Sequence, residues 1–405
     1  MTKRVGFAVL LFAIVGLLVG CGGGSGGSSG GETGSGGGGS SAGGTIKIGF
    51  SGDFSSLLAA YDVPLREGLE FAAEQINASG GPYQVELSTA DNENKSPLTV
   101  SQTQNLLDEG YEINVIGTGS GRTAAATLVN EAGGIALGAL NTYPTFPEET
   151  GDHTADLVVT DNIQAAASAQ YACKQGYKTA YTFASQDFAY SKNLPVYFEQ
   201  AFEKSCGGKV VGTGQFHLGQ TDYSALITTL KGVSPEPEAV YSPMFVPDSV
   251  AFVKQLRQAG VTIPYLSSDA NYLDEFATSA GSAANGMVAS PYAFAGNGSP
   301  LEKFQKEYKA KTGKAVSTPL YEAAGRDQVY AVVKAAEMAG STEPEAILGE
   351  FAKLPPSTFV AAENAKIGAA THSIENAEIS LVELDDGQFK LAEKILPSFV
   401  PPPVR

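Results

Sequence analysis

Ile46-Lys47-Ile48-Gly49-Phe50 is a short β-rich run. Pro64–Ile76 after it carries apolar residues at Leu65, Leu69, Ala72, Ala73 and Ile76, the spacing of a helix with one buried face. The pair of signals then repeats. Tyr83–Thr89 predicts a strand and Leu98–Leu107 a helix; Ile113–Gly117 predicts a strand and Thr123–Glu131 a helix; Ile135–Ala139 predicts a fourth strand. A helix between two strands returns the chain to the same end of the sheet, so the strands run parallel, and the helices cover both faces.

Reading toward the C-terminus, Asn141 to Asp161 is loop-like, and a second series follows. Helices are expected over Ile163–Gln175, Ser191–Lys204, Tyr223–Leu230 and Ser249–Gln258. Strands are expected over Thr179–Phe183, Val210–Gly214, Ala239–Ser242, Ile263–Leu266 and Gly286–Ala289. Two such blocks imply two lobes of similar design. Leu301–Lys311, Tyr321–Ala339 and Pro344–Lys353 predict helices. Asp385-Asp386-Gly387 between Glu378–Leu384 and Gln388–Ile395 predicts a hairpin, since the turn needs residues that tolerate positive φ. Pro401 to Pro403 reads as a loose tail.

Reading toward the N-terminus, Gly22 to Gly44 is nearly all Gly and Ser, has no apolar surface to bury, and is expected to be a flexible tether. Before it, Lys3 and Arg4 precede an apolar run from Val5 to Val19, too short to read as a membrane span and read instead as a signal peptide over residues 1–20. The run ends in Leu18-Val19-Gly20-Cys21, which resembles the lipobox of bacterial lipoproteins. That resemblance implies cleavage before Cys21, lipidation of its thiol and an anchor on the outer face of the bacterial cell membrane. Removal of Lys3 and Arg4, the only charges in residues 1–20, takes the formal charge from −17 to −19. So acidic a chain argues against nucleic-acid binding and against a basic membrane-binding patch. Cys173 and Cys206 remain, an even pair in an oxidising compartment, and a disulfide between them is expected from their places at the ends of helices that flank one strand. Three His and three Cys, scattered, give no metal-ligand spacing, and no cofactor is expected.

The order of these pieces resembles the leucine/isoleucine/valine-binding family, the type I periplasmic solute-binding proteins. The resemblance rests on Ile46 to Gly52, on Gly68 and Ala72, and on Ile76-Asn77-Ala78-Ser79-Gly80-Gly81. It continues through Asp91, Val115-Ile116-Gly117 before a turn, and Tyr321-Glu322-Ala323-Ala324. It implies an α/β fold of two doubly wound parallel-sheet lobes joined by three hinge crossovers, near Thr160, Ser290 and Ala370. Lobe 1 would comprise residues 45–160 plus 291–370, and lobe 2 residues 161–290 plus 371–405, with tether 21–44 before them. The ligand would lie in the cleft, beyond the carboxyl ends of the strands.

A zwitterionic amino acid needs anion donors, an acceptor for its ammonium and a side-chain pocket. The resemblance implies Ser120, with Thr123, as carboxylate donors at a helix N-terminus; the same residues also suit a plain helix cap. Arg122 beside them either clamps a carboxylate or points to solvent, and solvent is the expectation. Leu140 would offer a backbone group and Thr142 a hydroxyl, whereas Asn141 and Tyr143 depart from the family's small residues. Asp269 would meet the ammonium, or else cap the run after it. Tyr61, Phe188 and Phe245 sit at positions resembling the family's aromatic ligand contacts, or else belong to the core. Gly117-Thr118-Gly119-Ser120-Gly121 fits neither G-x-S-x-G nor G-x-G-x-x-G, and His153, His217 and His372 lie in no catalytic context, so no enzyme is expected. The reading is a monomeric, exported binding protein that passes an amino acid, branched-chain or similar, to the permease of an ABC importer. The alternatives are a ligand-sensing partner of a membrane receptor, or a site for a short amide, urea or an aromatic acid.

Overall fold

The computed structural model describes residues 43–316 and 318–404. The expected signal peptide, Cys21 and the expected tether up to residue 42 lie outside them. Among the described residues no helix is long and apolar enough to cross a membrane.

The first lobe begins with β1 (Gly44–Gly52), α1 (Ala59–Ser79), β2 (Tyr83–Asp91) and α2 (Ser96–Asp108). It continues with β3 (Ile113–Ile116), α3 (Arg122–Glu131), β4 (Ile135–Gly138), α4 (Phe146–Thr150) and β5 (Thr154–Asp156). The strands form a five-stranded sheet in the order β2-β1-β3-β4-β5, every pairing parallel. Every residue of β3 and β4 is buried, as expected of inner strands covered on both faces. The stretch expected to be loop holds α4 and β5. Elements of five and three residues are too short to show a period, and only pairing to β4 makes β5 a strand.

The second lobe follows with α5 (Asp161–Lys174), β6 (Thr179–Ser185), α6 (Ala189–Cys206), β7 (Lys209–Phe216) and α7 (Ser224–Lys231). Then come β8 (Ala239–Tyr241), α8 (Asp248–Gln258), β9 (Tyr265–Leu266), α9 (Asp274–Ala280) and β10 (Met287–Ala289). The chain returns to the first lobe for α10 (Pro300–Thr312), α11 (Pro319–Ala339) and α12 (Pro344–Leu348). A small ribbon of β11 (Lys366–Ile367) and β12 (Ile374–Asn376) leads to the hairpin of β13 (Ile379–Asp385) and β14 (Gln388–Ile395). That hairpin joins the second sheet antiparallel to β10, giving the order β14-β13-β10-β9-β8-β6-β7. Asp386 and Gly387 in its turn both take positive φ (48° and 73°), which is why the chain has Asp-Gly there.

Two close contacts fix where the site is built. A Cβ on Gly68 of α1 would lie 1.9 Å from the Glu322 carbonyl oxygen, and one on Gly325 of α11 would lie 2.0 Å from that of Leu65. The helices therefore touch backbone to backbone, which only glycine permits. Tyr61, about two turns before Gly68, and Tyr321, about one turn before Gly325, meet edge to face with centroids 5.5 Å apart. The loop between β1 and α1 is held by the buried Asp53, whose carboxylate accepts N–H bonds from Ser55, Ser56 and Leu58. Asp91 accepts the Phe54 N–H at 3.0 Å and so braces the same loop.

Cys173 and Cys206 are bonded, with Cα atoms 5.9 Å apart, at the adjoining ends of α5 and α6. The Pro-rich end is not loose. Asn162 donates to the Pro401 carbonyl at 2.9 Å and the Val404 N–H reaches the Tyr197 hydroxyl at 2.9 Å. Composition alone suggested a tail; tertiary hydrogen bonds to α5 and α6 hold it.

Candidate functional site

One cavity, with about 580 Å3 of empty space including its mouth, opens between the lobes. Its lining comes from loops beyond the carboxyl ends of parallel strands. Leu58 and Tyr61 follow β1, Thr118 and Arg122 follow β3, and Leu140–Tyr143 follow β4. From the second lobe Phe188 and Tyr190 follow β6, Phe245 follows β8, and Asp269 and Ala270 follow β9. Tyr292 follows β10, Asp161 opens α5, and Tyr321 reaches in from α11. Such loops place side chains over the crevice where the sheets end. A wider groove runs along the first and third crossovers, past Thr160, Asn162 and Ala370–Glu375, but lacks the aromatic wall and the opposed charges of the cavity.

The aromatic wall is continuous. Phe245 meets Tyr61 at 5.6 Å, Phe188 at 5.5 Å and Tyr190 at 5.2 Å between ring centroids. It surrounds Asp269, which is buried. The Asp269 carboxylate accepts from Gln164 Nε2 (2.6 Å), the Tyr190 hydroxyl (2.6 Å) and the Tyr292 hydroxyl (2.8 Å). The Tyr321 hydroxyl donates to its backbone carbonyl at 3.3 Å. All these donors are neutral. Burial pushes the Asp269 carboxyl up, and the three side-chain donors pull the other way.

Asp161 is the second carboxylate of the lining. Neither of its oxygens has a partner in hydrogen-bonding geometry, although the Thr142 hydroxyl is near. Burial pushes it well above the usual carboxylate range; Asp269 adds to this and Arg122 opposes it. Arg122 is the cation of the lining. Its Nη1 donates to the Thr118 carbonyl at 3.3 Å, its Nε is buried without a partner, and its guanidinium lies 5.9 Å from the Phe188 ring centroid. Burial lowers its pKa, while Asp161 and Glu149 sustain the charge. Asn141 is buried, and its Nδ2 also lacks a partner.

Of the residues singled out from the sequence, the structure gathers Tyr61, Leu140, Thr142, Phe188, Phe245 and Asp269 around this cavity. Ser120 and Thr123 are outside it, and both are exposed. The reason is the turn. The Ser120 N–H donates to Asn94 and its carbonyl accepts from Thr99. Gly121 then takes φ 83° to start α3, turning Ser120 outward. On the first turn of a helix neighbouring side chains diverge by about 100°, so with Arg122 inward Thr123 faces away. The expectation for Arg122 is reversed as well: it lines the cavity instead of facing solvent. Asp161, Tyr190, Tyr292 and Thr118 went unremarked as site residues. Asp161-x-x-Gln164 at a helix start carries a signal in hindsight, since both side chains turn toward Asp269. Nothing in the local sequence marks Tyr292. Among the described residues no cluster of His, Cys, Asp and Glu is arranged to hold a metal.

Residues 45–388 match the model of the family described as periplasmic binding protein. The chain belongs to this family. Two relatives from Pseudomonas aeruginosa are similar to it. The "Leucine-, isoleucine-, valine-, threonine-, and alanine-binding protein" is 25% identical over 315 residues, 76% of this chain and 82% of the relative. An "Amino acid binding protein" is 26% identical over 58% of this chain, which spans 63% of that relative's length. Among solved structures, the branched-chain amino acid transporter substrate binding protein LivJ from Streptococcus pneumoniae, in complex with isoleucine, superposes with a TM-score of 0.74 at 24% identity. That match covers 87% of this chain and 100% of LivJ. A solute binding protein from R. palustris in complex with 4-hydroxybenzoate gives 0.74 at 20% identity, over 87% and 97% of the two chains. These likenesses show the type I periplasmic binding fold in two lobes.

Proposed function

We propose that this family member binds an amino acid, branched-chain or similar, in the interlobe cavity and delivers it to the permease of an ABC importer. The observation that carries the reading is the placement of charge. Arg122 on the first lobe faces Asp161 and Asp269 on the second across one aromatic-walled space. A ligand with a carboxylate and an ammonium pairs with both sides at once, and neither charge is buried alone. The names of the two Pseudomonas relatives agree with this class. Structures of this fold hold isoleucine in one case and 4-hydroxybenzoate in another, so the fold itself does not select the ligand.

An aromatic acid is the second reading, and Arg122 in the cavity is what favours it. It satisfies the guanidinium but leaves Asp161 and Asp269 without a cation, so the amino acid stands first. Export and lipidation at Cys21 belong to the same proposal, resting on Leu18-Val19-Gly20-Cys21 after the apolar run. Sensing on behalf of a membrane receptor would use the same cavity.

A thermal-shift screen of the amino acids, urea, short amides and benzoates tests the reading. A ligand at 100 times its Kd stabilises by about 2.7 kcal/mol. A shift with leucine, isoleucine or valine is expected; stabilisation by a benzoate and by no amino acid would replace this reading with the second.

A further inference from the structure

The mechanism of ligand binding uses Asp161 and Asp269, but a third buried carboxylate stands behind them. Asp156 closes β5, wholly buried, and does not line the cavity. Its backbone N–H donates to the His372 carbonyl at 3.1 Å. Its carboxylate packs on the end of β4, where a Cβ on Gly138 would lie 2.2 Å from Oδ1. Neither Asp156 oxygen has a hydrogen-bond partner, and neither has either oxygen of Asp161, five residues on, across the first crossover. Leu157, Val158, Val159 and Thr160 between them are buried too.

The charges around this pair come from three elements. Arg122 faces both from α3. Asp269 faces Asp161 from the turn after β9, and Glu149 of α4 acts on Arg122. The phenols of Tyr190, Tyr197, Tyr241 and Tyr292 feel Asp161, and that of Tyr143 faces Arg122. A phenol has no cationic form, so none of these supplies a counter-charge to the carboxylates. One guanidinium thus faces two buried carboxylates, neither with a hydrogen-bond partner. Two ionised carboxylates without donors are the costliest way to bury this pair, and one proton between them removes most of that cost.

We propose that the Asp156–Asp161 pair holds a proton in the ligand-free protein at neutral pH and gives it up when the ligand's cationic group reaches Asp161, so that ligand uptake is an exchange of an ammonium for a proton. The O–H bond of one carboxylic acid breaks, its proton passes to the solvent buffer, and nothing is oxidised or reduced. The helix dipole at the start of α5 favours the anion on Asp161. Asp156, with no helix behind it, is the positioning residue that keeps the proton near until the ligand arrives. This rests on the amino-acid reading above for the nature of the cation.

Calorimetry with L-leucine on the full chain, in two buffers of different ionisation heat, counts the protons released. Close to one proton per leucine is expected at pH 7, with Kd weakening about tenfold for each pH unit below it. In Asp156→Asn the count falls below half and the pH slope flattens, whereas a merely structural role would weaken binding and leave the count unchanged. Asp62→Asn keeps the count. Heats that do not depend on the buffer overturn the proposal. If leucine gives no heat at all, the amino-acid reading fails separately. Infrared spectra of the ligand-free protein then decide the proton half. A carboxylic-acid carbonyl band at pH 7 that Asp156→Asn and Asp161→Asn each remove, and Asp62→Asn does not, supports it; its absence at pH 7 overturns it.

Discussion

The two walls of the cavity are made of the same part, a loop beyond the end of a parallel strand, and carry opposite charge. The first lobe contributes Arg122 with Thr118, Asn141 and Thr142; the second contributes Asp161 and Asp269 inside a ring of aromatic side chains. The first wall also hides an acid. Asp62 lies buried on α1 beneath Thr118, accepting the Asp53 N–H at 2.8 Å, and burial pushes its carboxyl up to about 7. Protonated below that value, it leaves the first wall positive. What the contrast teaches is that each lobe alone has half of a zwitterion's counter-charges, and only a ligand touching both walls meets all of them.

The largest expected effect breaks the negative wall. Asp269→Ala removes the ammonium's partner and strands the Tyr190, Tyr292 and Gln164 donors. It is expected to cost about 3–5 kcal/mol of binding free energy, read by calorimetry with the best ligand from the screen. Unchanged affinity would take Asp269 out of the site. Next comes the positive wall. Arg122→Ala should cost about 1.5–3 kcal/mol, the value of a hydrogen bond to a charged group. If it instead tightened binding, the guanidinium would be a structural charge and the carboxylate would be held by backbone groups.

Asp62→Asn tests whether the positive wall depends on a neutral acid beneath it. The carboxyl is raised from its ordinary value near 4 to about 7 on folding. Between those values the folded chain holds a proton that the unfolded chain has lost. The stability it contributes is therefore full below about pH 4, declines as pH rises, and is gone above about 7. Urea unfolding of the ligand-free protein should show this decline, and the variant should show a shallower one. Affinity should barely move. Identical profiles for the two proteins would place Asp62 in its ordinary ionised form. The smallest effect is expected of Ser120→Ala, within about 0.5 kcal/mol, as for an exposed residue away from the ligand. A loss of ten-fold or more in affinity would return Ser120 to the cavity and overturn the turn geometry described for it.

The alternation of apolar runs by itself determined a parallel α/β fold in two lobes, because strand and helix periods are local and survive without tertiary context. The Asp-Gly turn of β13 and β14 was legible for the same reason: two positive φ values are a demand on the residues themselves. The aromatic residues and Asp269 were legible as site candidates because each follows a strand end, and in open sheets those ends converge. Which way a side chain points at the start of α3 was not. Ser120, Arg122 and Thr123 are all plausible donors in sequence, and the choice among them fell to Gly121, in its left-handed conformation, and to the bonds from Asn94 and Thr99 on a neighbouring turn. Likewise β5 exists through its pairing with β4, and the Pro-rich end is held by Asn162 and Tyr197. The charge pattern of the cavity was decided in the same way. Asp156 and Asp161 are ordinary acids in a loop-like stretch until the lobes bury them beside one guanidinium, and burial is a property of the packed molecule rather than of any segment of it.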